Sequence, residues 1–185
     1  MKILLLSGGI DSTALLAEFH EVTDLALFVD YGQPSATEEE ACARRSADRF
    51  DVAFQCVDVG PLQLGAMSDA PGVAGPRVIH ARNTILIALA ANYAGHGGEI
   101  FIGSHADDFL EYPDCQGPFF VHKTAALYHA QKARVLAPFS ILSKADVRAK
   151  LAAISLDASS LCWSCYAPLS PGVPCGACNS CKAAE

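Results

Sequence analysis

Ile3-Leu4-Leu5-Leu6-Ser7-Gly8-Gly9-Ile10-Asp11-Ser12 passes from an apolar run through two glycines into the helix-like Thr13-Ala14-Leu15-Leu16-Ala17-Glu18-Phe19-His20. A strand that turns into a helix at paired glycines is a place to grip an anion. Glycine lets the backbone turn tightly and approach closely, while small hydroxyls and the unpaired N–H groups of the first helical turn point donors at the charge. No Lys-Ser or Lys-Thr follows, and a third glycine is missing, so this is neither the common phosphate loop nor the dinucleotide fingerprint. The plain alternative is an ordinary strand–turn–helix corner with Asp11 or Ser12 as N-cap.

Outward from this corner, short apolar runs alternate with helical patterns. Residues 2–6, 25–30, 53–59 and 99–104 read as strands, and 12–21, 36–50, 83–95, 119–133 and 144–154 as helices. Ser143, with Asp146 three residues on, opens the last helix as in a capping box. Such alternation predicts an α/β fold, a parallel sheet covered by helices. Ligands of an open parallel sheet gather beyond the carboxyl ends of its strands. Three polar clusters fall there: residues 7–12, then Asp30-Tyr31-Gly32-Gln33, then Gly103-Ser104-His105-Ala106-Asp107-Asp108 leading to Tyr112-Pro113-Asp114-Cys115. They should converge on one cleft. Residues 61–78 carry glycines and prolines without periodicity and read as a lid or binding loop, or as a slack surface insertion.

At 185 residues and 51% hydrophobic composition the chain fits one domain with a sizeable core. A formal charge of −7 argues against a broad grip on nucleic acid, so any nucleotide partner should be small. No apolar run reaches the length of a signal-peptide core or a membrane span, which predicts a cytoplasmic protein.

Five of the eight cysteines crowd into Cys162-Trp163-Ser164-Cys165 and Cys175-Gly176-Ala177-Cys178-Asn179-Ser180-Cys181. In an intracellular α/β chain this points to metal rather than disulfides. Four thiolates form a closed tetrahedral site typical of structural zinc, and five candidates compete for the four places. A redox pair or an iron–sulfur cluster is the rival. Cys42 and Cys56 read as small buried apolar groups. The composition breaks near Leu161, setting a cysteine-rich segment, 161–185, on a body of residues 1–160 within the same compact domain.

Further residues carry chemistry. Arg82-Asn83-Thr84 opens an apolar helix, where an arginine fork can reach phosphate or a planar ligand, or simply face solvent. Lys144 sits in a first helical turn that normally prefers acids, which points to a nearby anion or to a solvated lysine. Asp107, Asp108 and Asp114 can hold magnesium or orient an amine, or only form turns. His80 and His105 lie beside polar clusters. Cys115 follows an acid in a polar loop, where a nucleophilic role is conceivable but no base is marked for it.

Ser-Gly-Gly-x-Asp-Ser resembles the PP-loop of the ATP pyrophosphatases, which adenylate a substrate oxygen and release pyrophosphate. With Asp30-Tyr31-Gly32-Gln33, Ala81-Arg82-Asn83-Thr84, Tyr112-Pro113-Asp114-Cys115, Ser143-Lys144-Ala145-Asp146 and the terminal cysteines, the chain resembles one family in order and spacing along almost its whole length. These are the 7-cyano-7-deazaguanine synthases, the QueC family. The resemblance implies a Rossmann-like adenine nucleotide alpha-hydrolase fold with a five-stranded parallel sheet, ATP with Mg2+, and one structural Zn2+. It also implies conversion of 7-carboxy-7-deazaguanine and ammonia into the nitrile through an adenylated carboxylate and an amide.

Carried over residue by residue, the resemblance puts Leu6, Ser7, Gly8, Gly9, Ile10, Asp11, Ser12, Thr13, Ala14, Leu15 and Leu16 around ATP, with Asp30, Arg82 and Lys144. Asp11, Ser12, Arg82, Lys144, Asp108 and Asp114 form the catalytic set. Tyr31, Gln33, Asn83, His105, Tyr112 and Gln116 face the substrate. Cys165, Cys175, Cys178 and Cys181 take the zinc, and Cys162 is spare.

The departures fall on the substrate side. Pro34-Ser35 replaces the usual Arg-His, Glu111 a glycine and Gln116 an arginine. They leave open a diverged adenylating enzyme that modifies a protein carboxylate or another base, as in anti-phage systems, and a nucleotide-binding subunit without turnover. The chain is also short for the family, trimmed in 61–78 and without the helix expected after the last cysteine, so a homodimer is compatible with the resemblance but not required by it.

Overall fold

Side chains alternate across a strand, and here both faces of the central strands are apolar. β1 (Lys2–Leu5) and β2 (Leu25–Asp30) send Leu4, Ala26 and Phe28 to one side and Ile3, Leu5, Leu27 and Val29 to the other. All seven are buried. Strands of this kind belong inside a parallel sheet, and with β3 (Phe54–Asp58), β4 (Glu99–Phe101) and β5 (Arg134–Leu136) they form one, in the order β3-β2-β1-β4-β5. Every neighbouring pair is parallel. These features come from a computed structural model that describes residues 1–62, 79, 81–110, 112–154 and 158–182.

Helices cover both faces. α1 (Ile10–Phe19), α2 (Ala36–Arg49) and α5 (Lys144–Ala153) bury Leu15, Leu16, Ala43, Ala47, Val147 and Leu151 against the Leu4–Phe28 side. α3 (Arg82–Ala94) and α4 (Gly117–Gln131) bury Ile87, Ala90, Ala91 and Phe120 against the other. Two single-turn helices, α6 (Ala158–Leu161) and α7 (Asn179–Lys182), lie in the C-terminal segment. The α/β reading of the sequence holds, with four strands and five helices close to their expected places. β5 is the exception, because three residues are too few for an alternating pattern to register. The strand expected over 99–104 stops at Phe101, and the chain beyond it turns through short 3-10 segments, Ala106–Leu110 and Pro113–Cys115. Beyond Pro61 and Leu62, the 61–78 stretch lies outside the described residues save for its neighbour Ile79, as do His80 and Glu111.

β1 sits between β2 and β4, so the chain leaves the sheet's centre in opposite directions on its two sides. A crevice opens at such a switch point beyond the strand ends. The 7–12 loop, the turn after β2 and the segment after β4 all end there.

The capping box expected at α5 is present. Asp146 N donates to Ser143 Oγ at 3.2 Å, and Ser143 N donates back to Asp146 Oδ2 at 3.0 Å. This fixes the first turn of α5 and hence the backbone of Lys144. Ser143→Ala should cost about 1 kcal/mol of stability, read as a lower urea midpoint at unchanged slope.

Candidate active site

α1 begins with Gly9 as N-cap and no side chain bonds to its free amides, so Asp11 and Ser12 lie inside the first turn rather than capping it. The plain capping-corner alternative is therefore not what the chain adopts. Hydroxyls brace the loop instead: Ser7 N donates to Ser12 Oγ at 3.1 Å, Ser12 Oγ donates to Gly9 O at 3.2 Å, and the two serine oxygens are 3.0 Å apart. Gly8 has φ +74°, and a Cβ there would collide with the Glu39 carbonyl of α2. Its own carbonyl accepts Trp163 N at 2.8 Å. A Cβ at Gly9 would lie 3.4 Å from Ser7 Oγ, crowding the cradle in front of the helix start. Open amides, small hydroxyls and bare glycines fit a phosphate chain.

The loop faces a cleft of about 300 Å³. Leu6, Ser7, Gly9, Ile10, Asp11 and Ser12 line it. Gly8 packs toward α2, and Thr13, Ala14, Leu15 and Leu16 are buried in the body of α1. Lys144 enters from α5, its Nζ 2.7 and 2.6 Å from the two Asp11 carboxylate oxygens, while its backbone N–H donates to Asp107 Oδ2 at 2.8 Å. The anion that the first-turn lysine pointed to is Asp11. His105 is buried, its Nε2 3.8 Å from Asp11 and 3.4 Å from Asp108. Its Nδ1 has no hydrogen-bond partner among the described residues. Burial pushes the Asp108 carboxyl up, the charge of Asp11 adds to the rise, and the His105 N–H and Lys144 oppose it.

A second cluster shares the cleft. Arg82 starts α3 behind Ala81, which takes a left-handed backbone, and its guanidinium bonds the Tyr31 hydroxyl. Burial pushes the Tyr31 phenol up, opposed by Arg82. Gln33 is pinned between strand end and helix: its Oε1 accepts Tyr31 N at 3.0 Å and its Nε2 donates to Glu39 Oε2 at 3.0 Å. Cys115 joins the two clusters. Burial, with Asp108 and Asp114 nearby, pushes its thiol up to about 11, which favours the protonated form at neutral pH and works against the nucleophilic role its loop position allowed.

Among the other residues singled out from sequence, Tyr112 and Asn83 line the cleft. Asp114 anchors the start of α3, its carboxylate accepting Asn83 N at 3.1 Å and its carbonyl accepting Asn83 Nδ2 at 3.0 Å. Asp30 accepts Gly32 N at 2.9 Å and closes the turn after β2. Gln116 donates to Phe109 O at 3.1 Å and stays at the surface. The sequence reading placed Ser104 in a polar cluster that should meet in the cleft, and it does line it, but passed over Glu39, Trp163 and Tyr166, which line it too. Only the aromatics left a signal, since they flank Cys165.

Beside the loop, the sulfur atoms of Cys165, Cys175, Cys178 and Cys181 all lie within 4.8 Å of one another. Cys175 and Cys181 Sγ are 3.9 Å apart, against ~3.8 Å for thiolates at tetrahedral zinc. Backbone N–H groups already aim at sulfur: Cys175 N at Cys165 Sγ (3.2 Å), Cys178 N at Cys175 Sγ (3.4 Å) and Cys181 N at Cys178 Sγ (3.4 Å). Amides of Ala177 and Cys178 hold the Cys175 thiol down at about 6. The cluster is compatible with zinc and leaves no open coordination position.

A family model described as "Queuosine biosynthesis protein QueC" matches residues 1–185. The chain belongs to the QueC family. Proteins named 7-cyano-7-deazaguanine synthase from Xanthomonas oryzae pv. oryzae and Xanthomonas campestris pv. campestris are 36% identical to it over 201 residues, covering 97% of this chain and 89% of theirs. The 7-cyano-7-deazaguanine synthase 1 of Sphingopyxis alaskensis is 34% identical over 205 residues with the same coverage. As the QueC pattern implied, Cys162 stands apart from the four-cysteine cluster. It packs against the core beside α1, where burial pushes its thiol up to about 11. No helix among the described residues is long and apolar enough to cross a membrane.

Two outcomes follow. Because the folded-state pKa of Asp108 lies above its ordinary value of 3.8, the folded chain holds that proton more tightly than the unfolded one, and stability falls as pH rises through the folded pKa. Asp108→Asn, which keeps an acceptor for His105 N–H, should therefore raise the melting temperature at neutral pH. In calorimetry the gain should shrink toward zero as pH falls into the ordinary carboxylate range. The purified protein should also carry one zinc per chain by elemental analysis, and Cys178→Ser should lower both zinc content and melting temperature.

Proposed function

We propose that this QueC-family chain is an ATP-dependent ligase that adenylates the carboxylate of 7-carboxy-7-deazaguanine and replaces the activated oxygen with ammonia-derived nitrogen to give 7-cyano-7-deazaguanine. The observation that carries the reading is the 7–12 loop with Lys144 held over it, a phosphate cradle with its counter-ion in place. The relatives' names supply the product, and the carboxylic acid is the acceptor that the QueC resemblance implies.

A carboxylate oxygen is a poor leaving group until it bears phosphate. Attack of that oxygen on the α-phosphorus of ATP forms the acyl–O–P bond and releases pyrophosphate. The uncapped amides at the start of α1, with Ser7 and Ser12, are placed for the departing phosphates, and Lys144 and Arg82 balance charge as it develops. Asp11 and Asp108, near the same His105 nitrogen, would hold the Mg2+ that travels with ATP, which supplies positive charge at the phosphates. Ammonia then displaces AMP to leave the amide, and a second activation by ATP carries the amide oxygen away to leave the nitrile. The zinc-ready cysteines serve the fold: they tie down the segment whose Trp163 N–H holds the Gly8 carbonyl. Residues 1–160 and 161–185 thus act as one unit, in a setting that keeps thiols reduced, such as the cytoplasm. No observation favours a protein acceptor or a subunit without turnover.

The test is incubation with ATP, Mg2+, ammonium and the deazaguanine acid, followed by assay of AMP, pyrophosphate and nitrile. Acid-dependent AMP and nitrile are expected, and their absence overturns the reading. Lys144→Ala should lower kcat by about 10²-fold or more while leaving the fold intact by circular dichroism.

A further inference from the structure

One ionisable group in the cleft has no part in the chemistry above. Glu39 rises from the first turn of α2 into the cleft beside Tyr31, Gln33 and Arg82. Its Oε1 accepts Ser35 Oγ at 2.7 Å and its Oε2 accepts Gln33 Nε2 at 3.0 Å. Burial pushes its carboxyl up, while both hydrogen bonds and the Arg82 charge oppose the rise. A carboxylate taken out of water is costly unless its acceptor capacity is filled. Each oxygen has one protein donor and room for a second, so two adjacent acceptor sites stay open.

The nearest cation, Arg82, is turned to the Tyr31 hydroxyl and lies close to Asp114 and Cys115. This end of the cleft therefore offers a negative acceptor pair and, beside it, a positive fork. A guanine-like base with a carboxylate substituent is complementary to both, since its N1–H and 2-amino group are adjacent donors on one edge and its carboxylate is an anion elsewhere on the ring system.

Resting on the reading under "Proposed function", we propose that Glu39 is the specificity-determining residue for the base. Its carboxylate, oriented by Ser35 and Gln33, accepts the N1–H and 2-amino protons of the deazaguanine edge while Arg82 receives the 7-carboxylate. Glu39 selects among base acids and leaves the nucleotide alone.

Calorimetric binding of 7-carboxy-7-deazaguanine, its 2-deamino analogue and a non-hydrolysable ATP analogue to the wild-type protein, Glu39→Gln and Ser35→Ala tests this. The wild type should prefer the 2-amino acid by about 10- to 100-fold, the range for hydrogen bonds to a charged group. Glu39→Gln should lose that affinity and with it the discrimination, Ser35→Ala should lose a smaller part of both, and ATP-analogue affinity should hold within about twofold in all three. Equal wild-type affinity for the two acids, an unchanged Glu39→Gln, or a loss of ATP-analogue affinity in a folded Glu39→Gln overturns the proposal. Acid-dependent AMP from the wild type would then leave the ligase reading standing. A wild type that binds neither acid removes the reading and the proposal together. Should Glu39→Gln fail to fold, Ser35→Ala decides: unchanged preference in that variant counts against the proposal.

Discussion

Gly8 is where the molecule is most tightly constrained. With a positive φ and no Cβ, it brings the loop after β1 against the Glu39 carbonyl of α2, and its own carbonyl holds Trp163 of the C-terminal segment. Three distant parts of the chain meet at one residue that only glycine can satisfy. The consequence reaches both ends of the cleft. Fixing α2 against the loop sets where the Glu39 side chain emerges, and fixing Trp163 sets the wall that precedes the cysteine cluster. Trp163 is fixed a second time, its indole N–H donating to Cys165 O at 2.7 Å. The cysteine cluster and the phosphate cradle are thus joined by two hydrogen bonds and one residue, which gives a metal closed to substrate a bearing on the site.

Much of this was legible in the sequence because the relevant signals are local. The 7–12 turn, the capping box at Ser143 and the cysteine spacing each act within a few residues, so the chain alone reveals them. Glu39 was not legible, since Glu38-Glu39-Glu40 reads as an ordinary acidic first turn that suits the helix dipole. Only the packing of α2 against Gly8 decides which carboxylate turns inward. For His105 the sequence marked the place but not the partners: it lay beside a polar cluster, and the fold buries it with one ring nitrogen between two carboxylates and the other unpartnered among the described residues.

The cleft divides its charge between two ends. At one end Lys144 pairs with Asp11, and His105 lies near Asp11 and Asp108; at the other, Glu39 lies near Arg82 and Tyr31. Cys115 lies between, protonated and hydrogen-bonded by Asn83 Nδ2 at 3.4 Å. Burial first, and then the carboxylates of Asp108 and Asp114, disfavour a thiolate there.

The Lys144–Asp11 pair bears on how such a site could receive a nucleotide. Both side chains retain a quarter to a third of their exposure, 32% and 25%, so water screens the attraction and the pair contributes little to stability. A polyphosphate brings several charges where Asp11 offers one, and it meets the open amides of α1 as well as the ammonium. If the loop holds ATP as proposed, Lys144 would turn to the phosphates, and a cation between Asp11 and Asp108 would relieve the repulsion between them. Under the proposed reading the ion pair would keep the lysine extended over the loop where the nucleotide phosphates would come.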